Sequence, residues 1–203
     1  HIFLKIGQQN EFRKFMQWPF GISGEPILHN FLFRSHKKTL FLCCRSPVLP
    51  QRYNMYTLNL PSYDAKIRKK GNSFEIFDPL RRKYLVLTPE EWVRQHFVHY
   101  LITEKNYPSS LIANEASLKL NNLMRRCDTV VYNRQLKPVM ILEYKEPQVS
   151  ITQEIFDQVA RYNSVLRVKH IIVSNGMQHY CYRLNFDDLS YEFLTEIPDY
   201  REL

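Results

Sequence analysis

Two β-type runs, residues 123–132 and 139–145, stand either side of the short polar loop Asn133-Arg134-Gln135-Leu136-Lys137-Pro138. That spacing dictates an antiparallel hairpin, so whatever fold forms must contain it. Val130, Val131, Val139 and Ile141 are residues that a buried strand favours. Charged residues interrupt the same two strands: Arg126-Cys127-Asp128 on the first and Glu143-Tyr144-Lys145-Glu146-Pro147 on the second. Strand side chains alternate, so Glu143 and Lys145 point the same way, and an in-register hairpin lets Asp128 meet Glu143. By the same alternation Arg126 shares the face of Asp128, where it either pairs with that carboxylate or touches phosphate, with Arg125 beside it.

Two carboxylates and an ammonium converging among apolar strands cost several kcal/mol, in the ~3–5 range, to desolvate unless something compensates them. A divalent cation compensates the carboxylates, and Mg²⁺ suits a site with few protein oxygens. Lys145 is then placed to hold, or help deprotonate, a water attacking a phosphodiester. The competing reading is an ordinary cross-strand salt bridge on a solvated sheet face. A helix expected over 151–166, capped by Ser150 with Gln153 at the capping-box position, brings Gln158 and Tyr162 onto one face. An amide and a phenol there either hydrogen-bond phosphate and water or satisfy helix–sheet packing.

The rest of the chain supports a mixed sheet with helices against it. Phe74–Phe77 and Tyr84–Leu87 read as a β-hairpin around Asp78-Pro79 and Arg81-Arg82-Lys83. Thr88-Pro89-Glu90-Glu91 spells a helix start with Thr88 as cap and Glu91 closing a capping box. The helix is expected to run to about Glu104 with Val93, Phe97, Tyr100 and Leu101 buried, and to stop at Asn106-Tyr107-Pro108. Residues 111–120 alternate, with Ile112, Ala116, Leu118 and Leu120 on one face and Glu115, Ser117 and Lys119 on the other. Asn121-Asn122 is a turn. Strands over Val168–Val173, stopped by Ser174-Asn175-Gly176, and His179–Leu184 close the order α-β-β-β-α-β-β, an α/β (α+β) fold.

Residues 1–54 read differently. Apolar positions there keep no period, and Trp18-Pro19-Phe20-Gly21 and Gly24-Glu25-Pro26 break them up. The sequence starts with His1, and Met55 opens the coherent pattern. The expectation is an N-terminal extension over 1–54, non-native or poorly ordered, with Met55 as the natural start and one domain, opened by a β-hairpin, over 55–203. The rival is a genuine N-terminal arm. Residues 1–54 hold 8 Lys/Arg against 2 Asp/Glu, whereas 55–203 hold 20 against 18, so the net +8 belongs mostly to the first quarter and is weak testimony for nucleic acid.

Several classes fall away. The 5 glycines form no phosphate-cradling loop, which excludes a P-loop or Rossmann nucleotide site within this chain. No apolar run approaches the ~20 residues of a membrane helix, and His1–Lys5 does not read as a secretory signal. Cys43, Cys44, Cys127 and Cys181 form no Cys-x-x-Cys pair and read as reduced thiols of a cytoplasmic protein. No Gly-x-Ser-x-Gly elbow exists. His96 and His99 read as surface or packing residues. Lys66, Arg68, Lys69 and Lys70, with Arg81, Arg82 and Lys83, read either as a solvated charge run or as contacts to a DNA backbone.

Asp128 followed by Glu143-Tyr144-Lys145 resembles the metal-dependent nuclease motif of the PD-(D/E)XK superfamily. The continuation through Glu146-Pro147, then Gln158 and Tyr162, resembles the N-terminal nuclease domain of type I restriction enzyme R subunits, as does Tyr107-Pro108 with Glu115. The resemblance covers roughly 90–175. It implies a restriction-endonuclease-like αβββαβ core and Mg²⁺-dependent DNA cleavage, with Mn²⁺ able to substitute. Asp128 and Glu143 would hold the metal, with the Tyr144 carbonyl as a third oxygen and Glu115 as an outer or second ligand. Lys145 would be the catalytic lysine, and Gln158 and Tyr162 would orient water or DNA. Implied partners are DNA, contacted by Arg125 and Arg126, and other restriction-modification subunits, with neither a membrane nor a nucleotide cofactor. Cys127 stands where the superfamily name has Pro. R subunits continue into an ATP-driven translocase absent from this sequence, so the expectation is a small nuclease-like domain. The alternative is a catalytically silent DNA-binding or subunit-docking module of the same fold.

Overall fold

The computed structural model describes residues 56–203 except Asn121, Asn122 and Leu189, with the backbone alone at 118–120, 123–125 and 162. The expected extension over 1–54 and the Asn121-Asn122 turn lie outside the described residues, as do the side chains of Arg125 and Tyr162.

Strands β1 (Ile67–Lys70), β2 (Ser73–Asp78) and β3 (Lys83–Val86) form a three-stranded antiparallel sheet. The expected hairpin is therefore joined by a third strand, drawn from the basic run. Arg68 and Lys70 clamp Glu75 at 2.7 and 2.9 Å, and the Arg68 guanidinium lies 3.7 Å from the Tyr84 ring centre. Part of that charge run is thus paired within the sheet.

Helix α1 (Pro89–Glu104) starts where the sequence dictates: Thr88 Oγ1 accepts from Glu91 N at 3.0 Å, a cap worth about 1 kcal/mol. Only half of the expected capping box forms. Thr88 N donates instead to Val86 O, and the Glu91 carboxylate turns to Arg81, Arg94 and Gln95. Strands β4 (Ile112–Leu120), β5 (Leu123–Tyr132) and β6 (Pro138–Tyr144) follow, then α2 (Gln153–Leu166), β7 (His170–Ser174), β8 (His179–Leu184) and β9 (Tyr191–Leu194). They form a six-stranded sheet in chain order, antiparallel except for β6 and β7, which α2 connects as a parallel pair. This is the αβββαβ arrangement of a restriction-endonuclease-like fold, with β8 and β9 added at one edge. Among the described residues no helix is long and apolar enough to cross a membrane.

Ser150 does not cap α2. Ile151 is buried in the core, so the helix begins two residues later, after Thr152, and Gln153 bonds Asp157 within the helix at 2.8 Å.

The two helices pack on opposite faces of the sheet. Val93, Phe97 and Leu101 of α1 meet Leu142, Tyr144 and Ile172, while Ile155, Phe156 and Val159 of α2 meet Ile141, Ile171 and Val173. Each fully buried side chain of this kind contributes about 1.5–3 kcal/mol. At the β7–β8 turn Gly176 has φ +81°, and a Cβ there would stand 2.7 Å from Leu58 and 2.9 Å from Val93. Its carbonyl accepts from Asn59 N at 2.7 Å, which ties the segment before β1 to the main sheet.

The alternation expected along β4 fails at one point. Ile112 packs with the α1-side core, but Ala116 packs with the α2-side core. Between them Glu115 adopts φ +54°, the left-handed region. On β5 the same reversal occurs, because Cys127 and Val130, three apart, both face α2. Pairing stays in step, with Asn114 opposite Thr129 and Ala116 opposite Cys127. Glu115 and Asp128 therefore oppose each other where both strands change phase.

Candidate active site

Asp128 sits where β5 and β6 part. Their pairing runs from Tyr132–Pro138, through a register shift, to Thr129–Leu142 and stops. One step further, Tyr144 N donates to Asp128 Oδ2 at 2.8 Å, so a side-chain carboxylate replaces the missing backbone partner. Glu143 faces α2 and is buried. Its Oε1 accepts from Lys145 Nζ at 2.7 Å and from Gln158 Nε2 at 2.6 Å. Glu143, Lys145 and Gln158 thus meet directly, and Asp128, held by the N–H of Tyr144 and by the α1 side, acts on Glu143 through its charge. Tyr144 presents its ring to the opposite core beside Phe97.

The other oxygen of Asp128 goes to a residue that sequence reasoning missed. Arg94, projecting from α1 and only 5% exposed, donates from Nη2 to Asp128 Oδ1 at 3.0 Å. Its Nη1 meets Glu91 at 2.5 Å, and Glu90 and Glu115 lie 3.4 and 3.7 Å from the same fork. A second guanidinium, that of the partly buried Arg81, comes from the β2–β3 turn. It donates to Asp78 and lies 2.9 Å from both Glu91 and Glu115. Of the two roles weighed for Arg126, pairing with Asp128 or touching phosphate, the pairing does not form. Arg126 is largely exposed and reaches Glu115 at 3.6 Å, because the phase change at Asp128 breaks the alternation behind that expectation. A signal for Arg94 was present: it follows Val93 on the apolar helix, and Glu90 and Glu91 stand four and three residues before it. Nothing in the sequence pointed to Arg81 in particular among its basic neighbours.

His96 is buried, with Nδ1 2.9 Å from Trp92 O and its ring against Trp92 and Tyr63, and His99 stacks on Tyr63. Both pack rather than join the carboxylates.

Carboxylates outnumber cations around this fork, and the electrostatics follow. Burial, and then the charge of Asp128, pushes the Glu143 carboxyl up to about 7 even though Lys145 opposes the shift. Burial and Asp128 also push Glu90 up. Burial alone would raise Glu115, but Arg81, Arg94 and Arg126 hold it below the usual range. Burial works against the Lys145 ammonium, but Glu143 outweighs it and keeps that pKa above the ordinary value. Lys145 is therefore a cation and a donor here.

The donor set fits a hard divalent ion. Asp128 and Glu143 present carboxylate oxygens at the strand fork, the first paired with Arg94 and the second with Lys145, and Glu115 opposes Asp128. Among the described residues no three His, Cys, Asp or Glu side chains gather into a complete metal site. A backbone carbonyl, waters and substrate oxygens would complete the shell, as Mg²⁺ commonly requires.

Glu143 makes stability depend on pH in a defined direction. Between about 4.5, its ordinary value, and about 7, the folded chain holds a proton that the unfolded chain releases, so its contribution falls as pH rises through that window. His96 and His179, lowered to about 4 by burial, act oppositely below about 6.5. A Glu143→Gln comparison isolates the carboxyl: from pH 8 to pH 5 the parent should gain on the variant by up to about 3 kcal/mol in urea unfolding. A difference that stays flat with pH would contradict the burial of an ionisable Glu143.

Comparison with known proteins follows the same segment. Residues 89–198, more than half of the chain, match the family model described as the N terminus of the type I restriction enzyme R protein. No curated protein matches the chain. Among solved structures, a fragment described as an HsdR subunit of a type I restriction enzyme from Vibrio vulnificus YJ016 is similar at 17% identity and a TM-score of 0.42. The match covers 55% of this chain and 24% of that one, so the chain spans about a quarter of that relative.

Proposed function

Because the chain belongs to the type I restriction enzyme R protein N-terminal family, we propose that it is a Mg²⁺-dependent DNA endonuclease domain of the PD-(D/E)XK superfamily. The observation that carries this reading is the meeting of buried Glu143 with Lys145 and Gln158 beside Asp128, at the mouth of a strand fork. Asp128, Glu143 and the Tyr144 carbonyl would hold the ion, with Glu115 as an outer or second ligand and Mn²⁺ as a substitute. When bound, such an ion supplies Lewis-acid polarisation of a phosphoryl oxygen and acidifies a water.

The remaining roles belong to the chain itself. Lys145, protonated and 22% exposed, stabilises charge developing on the scissile phosphate and holds the attacking water; its raised pKa keeps the proton on the ammonium, so it acts as a hydrogen-bond donor and not as a base. Gln158 keeps Glu143 turned toward the fork and, with Tyr162, orients water or DNA. Arg126, exposed beside Glu115, and its neighbour Arg125 are assigned to contacts with the phosphate backbone. The domain works in a restriction-modification context with DNA as substrate and other subunits as partners.

Incubation with supercoiled and linear DNA in Mg²⁺, Mn²⁺ or EDTA tests the reading. Nicking or linearisation with either metal and none with EDTA is the expected result. If no cut appears in either metal at any protein concentration, the silent DNA-binding or docking module takes its place.

A further inference from the structure

The three-stranded sheet precedes the family-matched segment, yet it sends one side chain into the fork. Arg81 sits in the β2–β3 turn, which Asp78 organises by accepting from Leu80 N at 2.8 Å and Arg81 N at 3.0 Å and by pairing with the Arg81 guanidinium. The side chain of Arg81 is 12% exposed and ends 2.9 Å from Glu91 on α1 and 2.9 Å from Glu115 on β4. A second path leaves the same turn: Asn114 Nδ2 donates to Asp78 at 3.2 Å and its Oδ1 accepts from Thr129 Oγ1 at 2.8 Å, next to Asp128.

We infer that Arg81 is a positioning residue, through which the three-stranded sheet sets the placement of Asp128 in the site; the inference rests on the nuclease reading only for what that placement is used for.

The reason is competition for Arg94. Glu90, Glu91, Glu115 and Asp128 all lie within reach of that one guanidinium. Arg81 neutralises Glu91 and Glu115 and so leaves an Nη2 of Arg94 for Asp128. Without Arg81, two carboxylates draw Arg94 away, and Asp128 loses the contact that aims its other oxygen at Tyr144 N. The left-handed Glu115, directly opposite Asp128, loses its nearest cation at the same time.

The amide hydrogen of Tyr144 reads the placement directly, since its partner is Asp128 Oδ2. In Arg81→Met, its exchange is expected to accelerate by about tenfold or more while Ile171 and Val173 in the adjacent strand exchange at the parent rate, and Arg81→Lys should restore part of the protection. Should Arg81→Met fail to fold, Arg81→Lys carries the test: it keeps a charge but replaces a fork with a single point donor. Unchanged exchange at Tyr144, or equal acceleration at all three amides, overturns the inference. In parallel, plasmid nicking by the folded variant should lose about tenfold to a hundredfold in kcat with KM nearly unchanged. A parent chain that cuts no DNA would end the nuclease reading and leave the exchange result to decide the positioning role.

Discussion

Lys145→Ala is expected to lower the initial rate of metal-dependent plasmid nicking by about 10²–10³, the usual cost of losing one preorganised donor at developing charge. The fold should survive. Lys145 lies just past the end of β6, and its backbone N–H, bonded to Ser174 O at 2.9 Å, is untouched by the substitution. What the variant loses is the 2.7 Å contact to Glu143, leaving that buried carboxylate with Gln158 and the neighbouring charge of Asp128. Its proton affinity should rise further, so the residual activity should need higher pH than the parent's. Lys145→Arg separates charge from shape: a guanidinium keeps the charge and loses the compact donor. The checks are nicking rates in Mg²⁺ and Mn²⁺ across pH, with thermal melts alongside. Cutting at the parent rate by Lys145→Ala would contradict the assigned role.

Arg94→Met should be the most destabilising of these substitutions, by about 3–5 kcal/mol, because it strips the counter-charge from carboxylates that cannot reach water. Glu91 is as buried as Arg94, and Asp128 is mostly covered. Met matches the apolar stem of Arg, so the loss reports charge rather than a cavity. For a domain of this size that corresponds to a drop of roughly 10 °C or more in Tm. Mg²⁺ at neutral pH should return part of the loss by neutralising the same acids, and acid pH should return part of it by protonating Glu143 and Glu90, both of which burial pushes up. Urea unfolding with and without Mg²⁺ measures both effects. A loss below about 1 kcal/mol would place Arg94 among ordinary solvated pairs and remove it from the site.

The local rules of the chain determined most of the elements. Thr88-Pro89 sets the start of α1 because a hydroxyl cap and a ring-fixed φ act within one turn. The loop from Asn133 to Lys137 joins β5 to β6, and Glu143 and Lys145, the latter just past the strand's end, share a side because alternation is a property of the extended backbone alone. Where tertiary forces entered, local reading slipped. Burial of Ile151 displaced the start of α2 from Ser150, and Arg81 and Arg94 took the Glu91 side chain away from its capping box. Strand β9, four residues long, carries too little pattern to stand out from its flanks.

Asp128, Glu143 and Lys145, the triplet proposed for catalysis, and Gln158 on the helix could be named from the sequence, as side chains that two adjacent strands and one helix bring near one another. How that chemistry is held could not. The left-handed turn of φ at Glu115 reverses the phase of β4 and β5 without inserting a residue, and no period in the sequence records it. Arg94 and Arg81 stand 34 and 47 positions from Asp128 along the chain, and only folding brings their charges to one fork. Alternation and capping are short-range and therefore written in neighbouring residues. The balance of buried charge is long-range, and it exists only once α1, the three-stranded sheet and the strand fork have closed water out of the space between them.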